Sequence, residues 1–389
     1  MPINNRVAAM QGEITEWRRD IHANPELLYD VHRTAASVAE KLRAFGCDDV
    51  VTGLGRTGVV GLIRGNRPGN GEHVIGLRAD MDALPIEEAT GAAYASKNAG
   101  KMHACGHDGH TAMLLGAAKY LAETRNFAGT AALIFQPAEE GGAGARAMIA
   151  DGLMDKFRIE EVYGMHNLPG LPVGQFAIRP GAVMAATDTV IIDIEGKGGH
   201  AAWPNHTIDP VLVGAQIVAQ AQSIVARSVD PLEAAVISIC VFQAGSAINI
   251  IPQTAQLRGT ARSFKPEVRD LLEKRLRELV EHTAQAHGAR ATLTYRRGYP
   301  VTHNHEEQTA FAASVAKEIA GNDRVDTNTP PMMGAEDFSY MLEARPGAFI
   351  FVGNGDTAGL HNPAYDFNDE AIPTGTSYWV KLVETKLAG

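Results

Sequence analysis

The stretch Val74-Ile-Gly-Leu-Arg-Ala-Asp-Met-Asp82 begins as an apolar run and ends in charged residues. Two further segments repeat this pattern. The strand predicted over 131–135 leads into Gln136-Pro-Ala-Glu-Glu140, and the strand predicted over 162–165 leads into His166. Open α/β sheets place their ligand-binding crevice at the carboxyl ends of the strands. The pattern therefore predicts an α/β domain with a ligand site at one edge of its sheet.

Between the first two of these strands, the stretch Met102-His-Ala-Cys-Gly-His-Asp-Gly-His110 holds a cysteine, histidines and an aspartate, all potential metal ligands. Gly106 and Gly109 give the backbone the freedom to bring several of these side chains to one point. Apolar residues at helical spacing follow His110 and predict a helix to about Thr124. We therefore expect the first part of a metal site on a loop that leads into a helix.

Cys105 and His107 would face one pocket if this loop were extended, because alternate residues then point the same way. A thiolate can bridge two divalent ions, and imidazole suits zinc, manganese or nickel. The alternative for this pair is a buried structural cysteine beside a capping histidine. For His103 and His110 we expect structural roles, or roles in supporting the ligands.

Glu139 and Glu140 are adjacent carboxylates, which repel each other unless a cation or a proton neutralises one of them. One could bind a metal while the other takes a proton from water; the alternative is a solvated acidic turn. His166 and His361 are each more typical of structural histidines when taken alone. Together, the candidate ligands are enough for two ions that share a bridging atom: Cys105, His107, Glu140, His166 and His361.

Asp80 and Asp82 alternate at the end of the first strand. Such carboxylates can orient the imidazoles that bind a metal, and the alternative is that both cap the strand end. Of the two, Asp82 is the favoured candidate.

Length and composition limit the possible classes of protein. A chain of 389 residues suggests two domains. A formal net charge of -10 argues against nucleic acid or an anionic membrane surface as a partner. Three cysteines cannot form a disulfide framework and suit a reducing compartment. The first 20 residues lack the apolar core of a signal peptide, and no apolar run reaches the ~18 residues of a membrane span. We expect a cytoplasmic protein.

The order of predicted elements changes near residue 186. Residues 186–297 are predicted to follow the order β-α-β-β-α-β, which is the ferredoxin-like arrangement. The α/β pattern then resumes, so we expect a catalytic metal-binding domain over 1–185 plus 298–389 with an inserted domain over 186–297. Near the N-terminus, residues 13–42 are predicted to be helical.

The chain resembles the hippurate hydrolase and aminoacylase branch of the binuclear metallopeptidase family, which also contains glutamate carboxypeptidase and succinyl-diaminopimelate desuccinylase. The motifs that carry the resemblance run through the whole chain: Arg78-Ala-Asp-Met-Asp82-Ala-Leu-Pro, His103-Ala-Cys-Gly-His107-Asp, Gln136-Pro-Ala-Glu-Glu140-Gly-Gly, Gly164-Met-His166, Gly198-Gly-His200-Ala-Ala, Gly334-Ala-Glu336-Asp-Phe-Ser and His361-Asn-Pro.

The resemblance implies a mixed-sheet, zinc-peptidase-like catalytic domain and a ferredoxin-like α+β lid that is also the dimerisation domain of a homodimer or tetramer. It implies two divalent ions, Mn²⁺ or Zn²⁺ with Ni²⁺ or Co²⁺ as alternatives, bridged by Cys105. The other implied ligands are His107, Glu140, His166 and His361. Glu139 is the implied general base, and Asp82 is implied to support the catalytic site.

Three residues of the inserted domain gain roles only from the resemblance. It implies that His200 hydrogen-bonds the developing oxyanion, usually in the partner subunit's site, and that Asn249 and Arg262 hold the substrate carboxylate. From the residues alone, these three could equally be a turn residue, a turn former and a surface charge. More distant branches have a bridging aspartate, and a histidine ligand two residues before the supporting aspartate. Here those positions hold Cys105 and Asp80, which favours the amidohydrolase branch over general peptidases.

The expected function is metal-dependent cleavage of the amide bond of an N-acyl amino acid, giving a carboxylic acid and a free amino acid. Related alternatives are an N-acetyl-diaminopimelate deacetylase and a dipeptidase or carboxypeptidase of the same family. Outside this class, the alternatives are a metal-free hydrolase with Cys105 as nucleophile and His107 as base, and a non-catalytic metal-binding protein. No G-x-G-x-x-G motif follows the early strands, which argues against a dinucleotide-binding enzyme.

Overall fold

The computed structural model describes residues 4–69 and 71–389. The chain divides into two compact units. The first unit contains the residues up to Val183, His303–Pro330 and Asp337–Gly389. The second unit contains Met184–Thr302 and Pro331–Glu336.

The helices of the described residues include long amphipathic and short single-turn elements. In chain order the α-helices are α1 Asn5–His22, α2 His32–Phe45, α3 His107–Thr124, α4 Gly144–Ala150, α5 Leu153–Lys156, α6 Pro210–Arg227, α7 Pro266–Ala286, α8 Glu306–Ala320, α9 Ser339–Ala344 and α10 Ile372–Lys386. Short 3₁₀ helices lie at Pro204–His206, Asn322–Arg324 and Asp369–Ala371. Within the described ranges, no helix combines the length and apolar character needed to cross a membrane.

The strands range from two to ten residues in length. In chain order they are β1 Asp49–Leu54, β2 Gly58–Arg64, β3 Val74–Asp80, β4 Thr130–Gln136, β5 Glu161–Pro169, β6 Phe176–Ala177, β7 Gly181–Met184, β8 Ala186–Glu195, β9 Gly199–His200, β10 Ala235–Ala244, β11 Ile250–Ile251, β12 Thr254–Ser263, β13 Arg290–Arg297, β14 Thr302–Asn304, β15 Val325–Asp326 and β16 Gly347–Gly355.

The first unit is built on an eight-stranded mixed sheet in the order β1-β2-β4-β3-β5-β16-β6-β15. Its centre is parallel, since β3 pairs in parallel with β4 and β5, and β5 in parallel with β16. Strands β1 and β2 form an antiparallel edge. Every residue of β3 and β4 is buried, as expected for parallel strands that are covered on both faces. The mixed α/β class predicted from the sequence is confirmed.

Parallel pairing brings the predicted site segments to one edge of this sheet. Asp80 at the end of β3 is opposite Gln136 at the end of β4, and the N–H of Met81 donates to the Gln136 carbonyl at 2.8 Å. The segments that continue from these two strands therefore start side by side. They carry Asp82 and Glu139.

Three local expectations differ from the structure. The helical segment predicted over 13–42 is two helices, α1 and α2, because a turn around Pro25 interrupts it. Helix α3 begins at His107 rather than after His110, so this part of the cluster is not an extended loop. Strand β5 continues past His166 to Pro169, because β16 pairs with it along this length.

The second unit contains a four-stranded antiparallel sheet in the order β10-β12-β8-β13. Burial alternates along β8, where Val190, Ile192 and Ile194 are buried, as expected when one face of a sheet is covered. These side chains form one apolar core with residues of α6 and α7. The chain order of the elements is β-α-β-β-α-β, and the strand order is that of a ferredoxin-like sheet.

Candidate metal centre

Gly106 forms the turn that joins Cys105 to His107. Its φ of 90° is in the left-handed region, and it precedes the first residue of α3. A Cβ atom at this position would lie 2.2 Å from Asn167 Nδ2 and 2.6 Å from the Tyr365 hydroxyl. Only glycine fits this conformation and this space. The turn, and not the extended geometry that we expected, brings the cysteine and the histidine together.

Two groups of possible metal ligands meet at Cys105. The ligand atoms of Cys105, His107 and His166 lie within 4.8 Å of one another, and so do those of Cys105, Glu140 and His361. The thiol is 3.4 Å from His166 Nε2, and His361 Nε2 is 3.3 Å from a carboxylate oxygen of Glu140. A thiolate that belongs to both groups is suited to bridge two ions.

Backbone carbonyls orient the two buried imidazoles. His107 Nδ1 donates to the Asp82 carbonyl at 2.8 Å, and His166 Nδ1 donates to the Asn167 carbonyl at 2.7 Å. Both rings therefore keep Nε2 unprotonated when neutral. Among the described residues, His107 Nε2 is buried without a hydrogen-bond partner. A buried nitrogen whose lone pair meets no hydrogen-bond donor is suited to bind a metal. Metal-binding histidines commonly have their tautomer fixed in the same way, by a hydrogen bond from the other ring nitrogen to a backbone carbonyl.

The Glu139-Glu140 pair is held by the carboxylate of Asp82. This carboxylate accepts hydrogen bonds from the backbone N–H groups of Glu139 at 2.9 Å and of Glu140 at 3.1 Å. Asp82 was expected to orient a ligand imidazole with its carboxylate. One oxygen of this carboxylate lies 3.6 Å from His107 Nδ1, and the Asp82 carbonyl accepts the proton of that nitrogen. The same carboxylate also fixes the acidic segment. Glu139 is buried, and one of its carboxylate oxygens accepts the N–H of Asp337 at 3.3 Å.

His361 lies at the open side of the centre. Its φ is 62°, an unusual conformation for a residue with a side chain. Its backbone N–H donates to the Ala104 carbonyl at 2.7 Å, which ties its loop to the residue before Cys105. Its side chain is 52% exposed, while that of Glu140 is 12% exposed. The second group of ligands is therefore more accessible to solvent than the first.

Burial and charge shift the ionisation of the centre. Burial raises the pKa of the Cys105 thiol well above its usual value, and the Glu140 carboxylate adds to the rise. Burial alone would lower the pKa of His107, but Asp80, Cys105 and Asp82 together outweigh it and raise this pKa well above its usual value. Burial and the neighbouring His110 lower the pKa of His166 well below its usual value. A bound cation would stabilise the thiolate that burial disfavours.

His110 and His103 belong to neither of the two ligand groups that meet at Cys105. His110 Nδ1 donates to Asp80 at 2.7 Å, and its Nε2 accepts the backbone N–H of Asn167 at 3.0 Å, so both ring nitrogens are engaged. His103 is buried, and burial lowers its pKa to about 3. Its ring lies 6.3 Å from that of His22.

A buried cluster of charged residues supports the start of α3, and the sequence analysis missed it. Arg18 Nε and His22 Nδ1 both lie 2.8 Å from a carboxylate oxygen of Asp108, the residue after His107. His22 Nε2 also lies 3.2 Å from Glu88. The only local signal was the spacing of Arg18 and His22, which places both on one face of α1.

The remaining predicted site residues lie in the second unit. His200 in β9 pairs with Ile250 of β11, and the N–H of Ala201 donates to the Asn249 carbonyl at 3.0 Å, so His200 and Asn249 lie on neighbouring segments. The ring of Trp203 lies 4.7 Å from that of His200. Arg262 lies in β12, half-buried, and donates to the carbonyl of Ala261 at 3.0 Å.

Known proteins resemble this chain over nearly its whole length. Hippurate hydrolase of Campylobacter jejuni is 44% identical over 96% of both chains. N-acetylcysteine deacetylase of Bacillus subtilis is 38% identical over 96% of this chain and 97% of its own. The YXEP protein of Bacillus subtilis, described as a dinuclear metal binding peptidase, has a crystal structure with a TM-score of 0.84 and 33% identity, covering 98% of this chain and 99% of its own. Residues 76–385 match the family described as Peptidase family M20/M25/M40, and the chain belongs to that family.

Proposed function

We propose that this protein is a metal-dependent amidohydrolase that cleaves the amide bond of an N-acyl amino acid into a carboxylic acid and a free amino acid. The observation that carries the proposal is the meeting of two ligand groups at the single thiol of Cys105. The relatives named hippurate hydrolase and N-acetylcysteine deacetylase support the substrate class.

We assign the ligands by group. Cys105, His107 and His166 would hold one divalent ion, and Cys105, Glu140 and His361 the other. Ions bound there would lower the pKa of water and polarise the amide carbonyl. Thiolate, imidazole and carboxylate ligands suit Zn²⁺ or Mn²⁺, with Ni²⁺ and Co²⁺ as further candidates.

Glu139 is the proposed general base. Its carboxylate has an oxygen within 4.8 Å of ligand atoms of His107 and Glu140, and it is buried. The backbone contacts with Asp82 and Asp337 fix its position. Glu139 would take the proton of the attacking water and deliver it to the leaving amine nitrogen, so one carboxylate serves as base and then as acid.

The second unit supplies the remaining proposed roles. We assign His200 to the developing oxyanion, and Asn249 and Arg262 to the substrate carboxylate, for which an arginine fork is well suited. We further propose that residues 186–297 form a lid and dimerisation domain, with residues 1–185 and 298–389 as the catalytic domain, in a homodimer or tetramer. The described cysteines Cys47, Cys105 and Cys240 are free thiols, and a cytoplasmic location stays a prediction.

A hydrolysis screen with metal removal tests the proposal. The protein is stripped with a chelator, reconstituted separately with manganese, zinc, nickel and cobalt, and assayed on benzoyl, acetyl and indole-acetyl amino acids. Acetyl-diaminopimelate and dipeptides complete the panel. We expect N-acyl amino acid hydrolysis that the chelator abolishes and a metal restores. Activity that survives the chelator would favour a metal-free hydrolase using Cys105, and inactivity of every metal form would favour a non-catalytic protein.

A further inference from the structure

Asn167 joins the chain segments that carry the candidate ligands. It is buried, and it follows His166 in β5. Its side-chain Nδ2 donates to the Cys105 carbonyl at 2.7 Å. Its side-chain Oδ1 accepts the hydroxyl of Tyr365 at 2.8 Å. One side chain therefore contacts the Cys105 turn and the loop that continues from His361.

The backbone of Asn167 takes part in the same network. Its carbonyl accepts the Nδ1 proton of His166, and its N–H donates to His110 Nε2 at 3.0 Å. Nδ2 also lies 3.1 Å from His110 Nε2. Since His110 in turn donates to Asp80, the network extends to the end of β3.

The Cys105 carbonyl decides which way the amide of Asn167 points. An asparagine amide can turn over and exchange its donor and acceptor ends unless its partners distinguish them. The Cys105 carbonyl can only accept, so it takes the Nδ2 end, and the Tyr365 hydroxyl, which can donate or accept, then donates to Oδ1. Tyr365 is buried, so water does not readily replace its hydroxyl. The absence of a Cβ at Gly106 provides the space for both groups.

We propose that Asn167 is a positioning residue of the metal centre: its side-chain amide, held in place by the Tyr365 hydroxyl, fixes the Cys105 turn against the strand that carries His166. This inference rests on the proposed function, because it assumes that Cys105 and His166 bind metal. The bonds are short, buried and directional, so they hold the thiol of Cys105 at a defined distance from His166 Nε2. Partners behind metal ligands commonly change metal affinity by about 10–100-fold when they are removed.

The test compares two variants with a matched control. Asn167→Ala removes the side-chain bonds but keeps the backbone bonds, and Tyr365→Phe removes one hydroxyl from a ring of unchanged shape. The control is Asn304→Ala. Asn304 is also buried, and its amide donates to the carbonyls of Arg179 and Phe349, neither of which is a candidate ligand. The three variants and the wild type are stripped of metal, checked for folding by circular dichroism, and titrated with Co²⁺ and Zn²⁺.

We expect Asn167→Ala to weaken metal binding by about 10–100-fold and Tyr365→Phe to weaken it by about 10-fold. Both should alter the thiolate-to-Co²⁺ absorption band, while Asn304→Ala should lose stability but bind both metals as the wild type does. Wild-type affinity and an unchanged band in both site variants would overturn the inference, and so would equal weakening in Asn304→Ala. If Asn167→Ala does not fold, Tyr365→Phe decides the question. A wild-type protein that binds neither metal would instead overturn the proposed function.

Discussion

The carboxylate of Asp82 accepts the backbone N–H of Glu139 at 2.9 Å. Its second oxygen accepts the N–H of Glu140 at 3.1 Å, so one carboxylate fixes both the proposed base and a proposed ligand. Two charge-assisted bonds to adjacent amides set the direction of the chain at this point. The position of Glu139 therefore depends on a residue that need not contact the substrate.

Asp82→Asn should lower kcat by about 10–100-fold. An asparagine keeps one acceptor oxygen, and its NH₂ group would face one of the two N–H donors, so the acidic segment would shift. Steady-state kinetics and metal analysis of the same sample would measure the effect. Asp151→Asn is the matched control. The Asp151 carboxylate accepts the Gly55 N–H at a distance of 2.8 Å, and neither residue is a candidate ligand. An unchanged kcat in Asp82→Asn would rule out this positioning role.

Glu139→Gln should keep its metal and lose about 10²–10⁴ in kcat, as expected for removal of a general base. Glutamine preserves the shape of the side chain but cannot take a proton from water. Turnover is measured on the best substrate of the screen, and bound metal by elemental analysis. Glu140→Gln serves as the contrast, since it should lose metal. Near-normal turnover in Glu139→Gln would exclude Glu139 from proton transfer.

Cys105→Ala and His361→Ala should differ in how many ions they lose. Cys105 belongs to both ligand groups and His361 to one. Cys105→Ala should therefore lower the affinity for both ions, while His361→Ala should lower the affinity for only one of them. The number and affinity of bound ions are measured by calorimetric titration of Zn²⁺ into the stripped protein. Two ions bound with normal affinity in Cys105→Ala would show that the thiol does not bridge them.

Gly106→Ala should destabilise the protein and weaken metal binding. The left-handed conformation alone costs an L-residue about 1–2 kcal/mol, and the added Cβ would lie 2.2 Å from Asn167 Nδ2. The control is Gly170→Ala, because Gly170 has a φ of 87° and nothing within 4 Å of an added Cβ. Denaturant unfolding of the stripped proteins should show a larger loss for Gly106→Ala. Equal losses would mean that the close approach at Gly106 has no energetic effect.

Stability of the stripped protein should fall between about pH 6.5 and pH 9 because of His22. Burial disfavours its charge, but the hydrogen bonds to Asp108 and Glu88 outweigh burial and raise the pKa of His22 to about 9. A pKa above the unfolded value of about 6.5 means that the stabilisation is complete below that value and is lost as pH rises through 9. The contribution is on the order of 1–3 kcal/mol.

Denaturant unfolding at several pH values, with a chelator present, measures this dependence. His22→Ala should be less stable at pH 6 and should show a smaller decline towards pH 9 than the wild type. His73→Ala is the control, because His73 and Glu160 form an exposed ion pair, and such pairs contribute little. If the free energy of unfolding of His22→Ala falls with pH as steeply as that of the wild type, a group other than His22 causes the decline.

Much of the first unit could be predicted from short patterns. The apolar runs of β3, β4 and β5 are continuous and end in polar residues, which indicates parallel strands with a site at their carboxyl ends. The candidate ligands could be chosen because few side-chain types bind divalent metals and because several of them are close together in the sequence. The edge strands β1 and β2 were not predicted.

The roles of the residues around the ligands could not be predicted in this way. Asp82 was assigned the orientation of an imidazole, but only the folded chain shows that its carboxylate holds the backbone of a segment 57 residues away. The segment around Gly106 was expected to be extended, but it is a turn that packs closely against Asn167 and Tyr365. No periodic pattern in the sequence reports such contacts.

The sequence by itself determined the α/β class, the strand ends that carry polar residues and the residue types available for two metal ions. These are properties of neighbouring residues, whose spacing follows the period of a strand or a helix. Only the tertiary structure decided which ligands share Cys105, how Asp82 holds Glu139 and that Asn167 contacts Tyr365, 198 residues further along the chain. The physical reason is that packing, and not sequence proximity, brings these side chains within hydrogen-bonding distance.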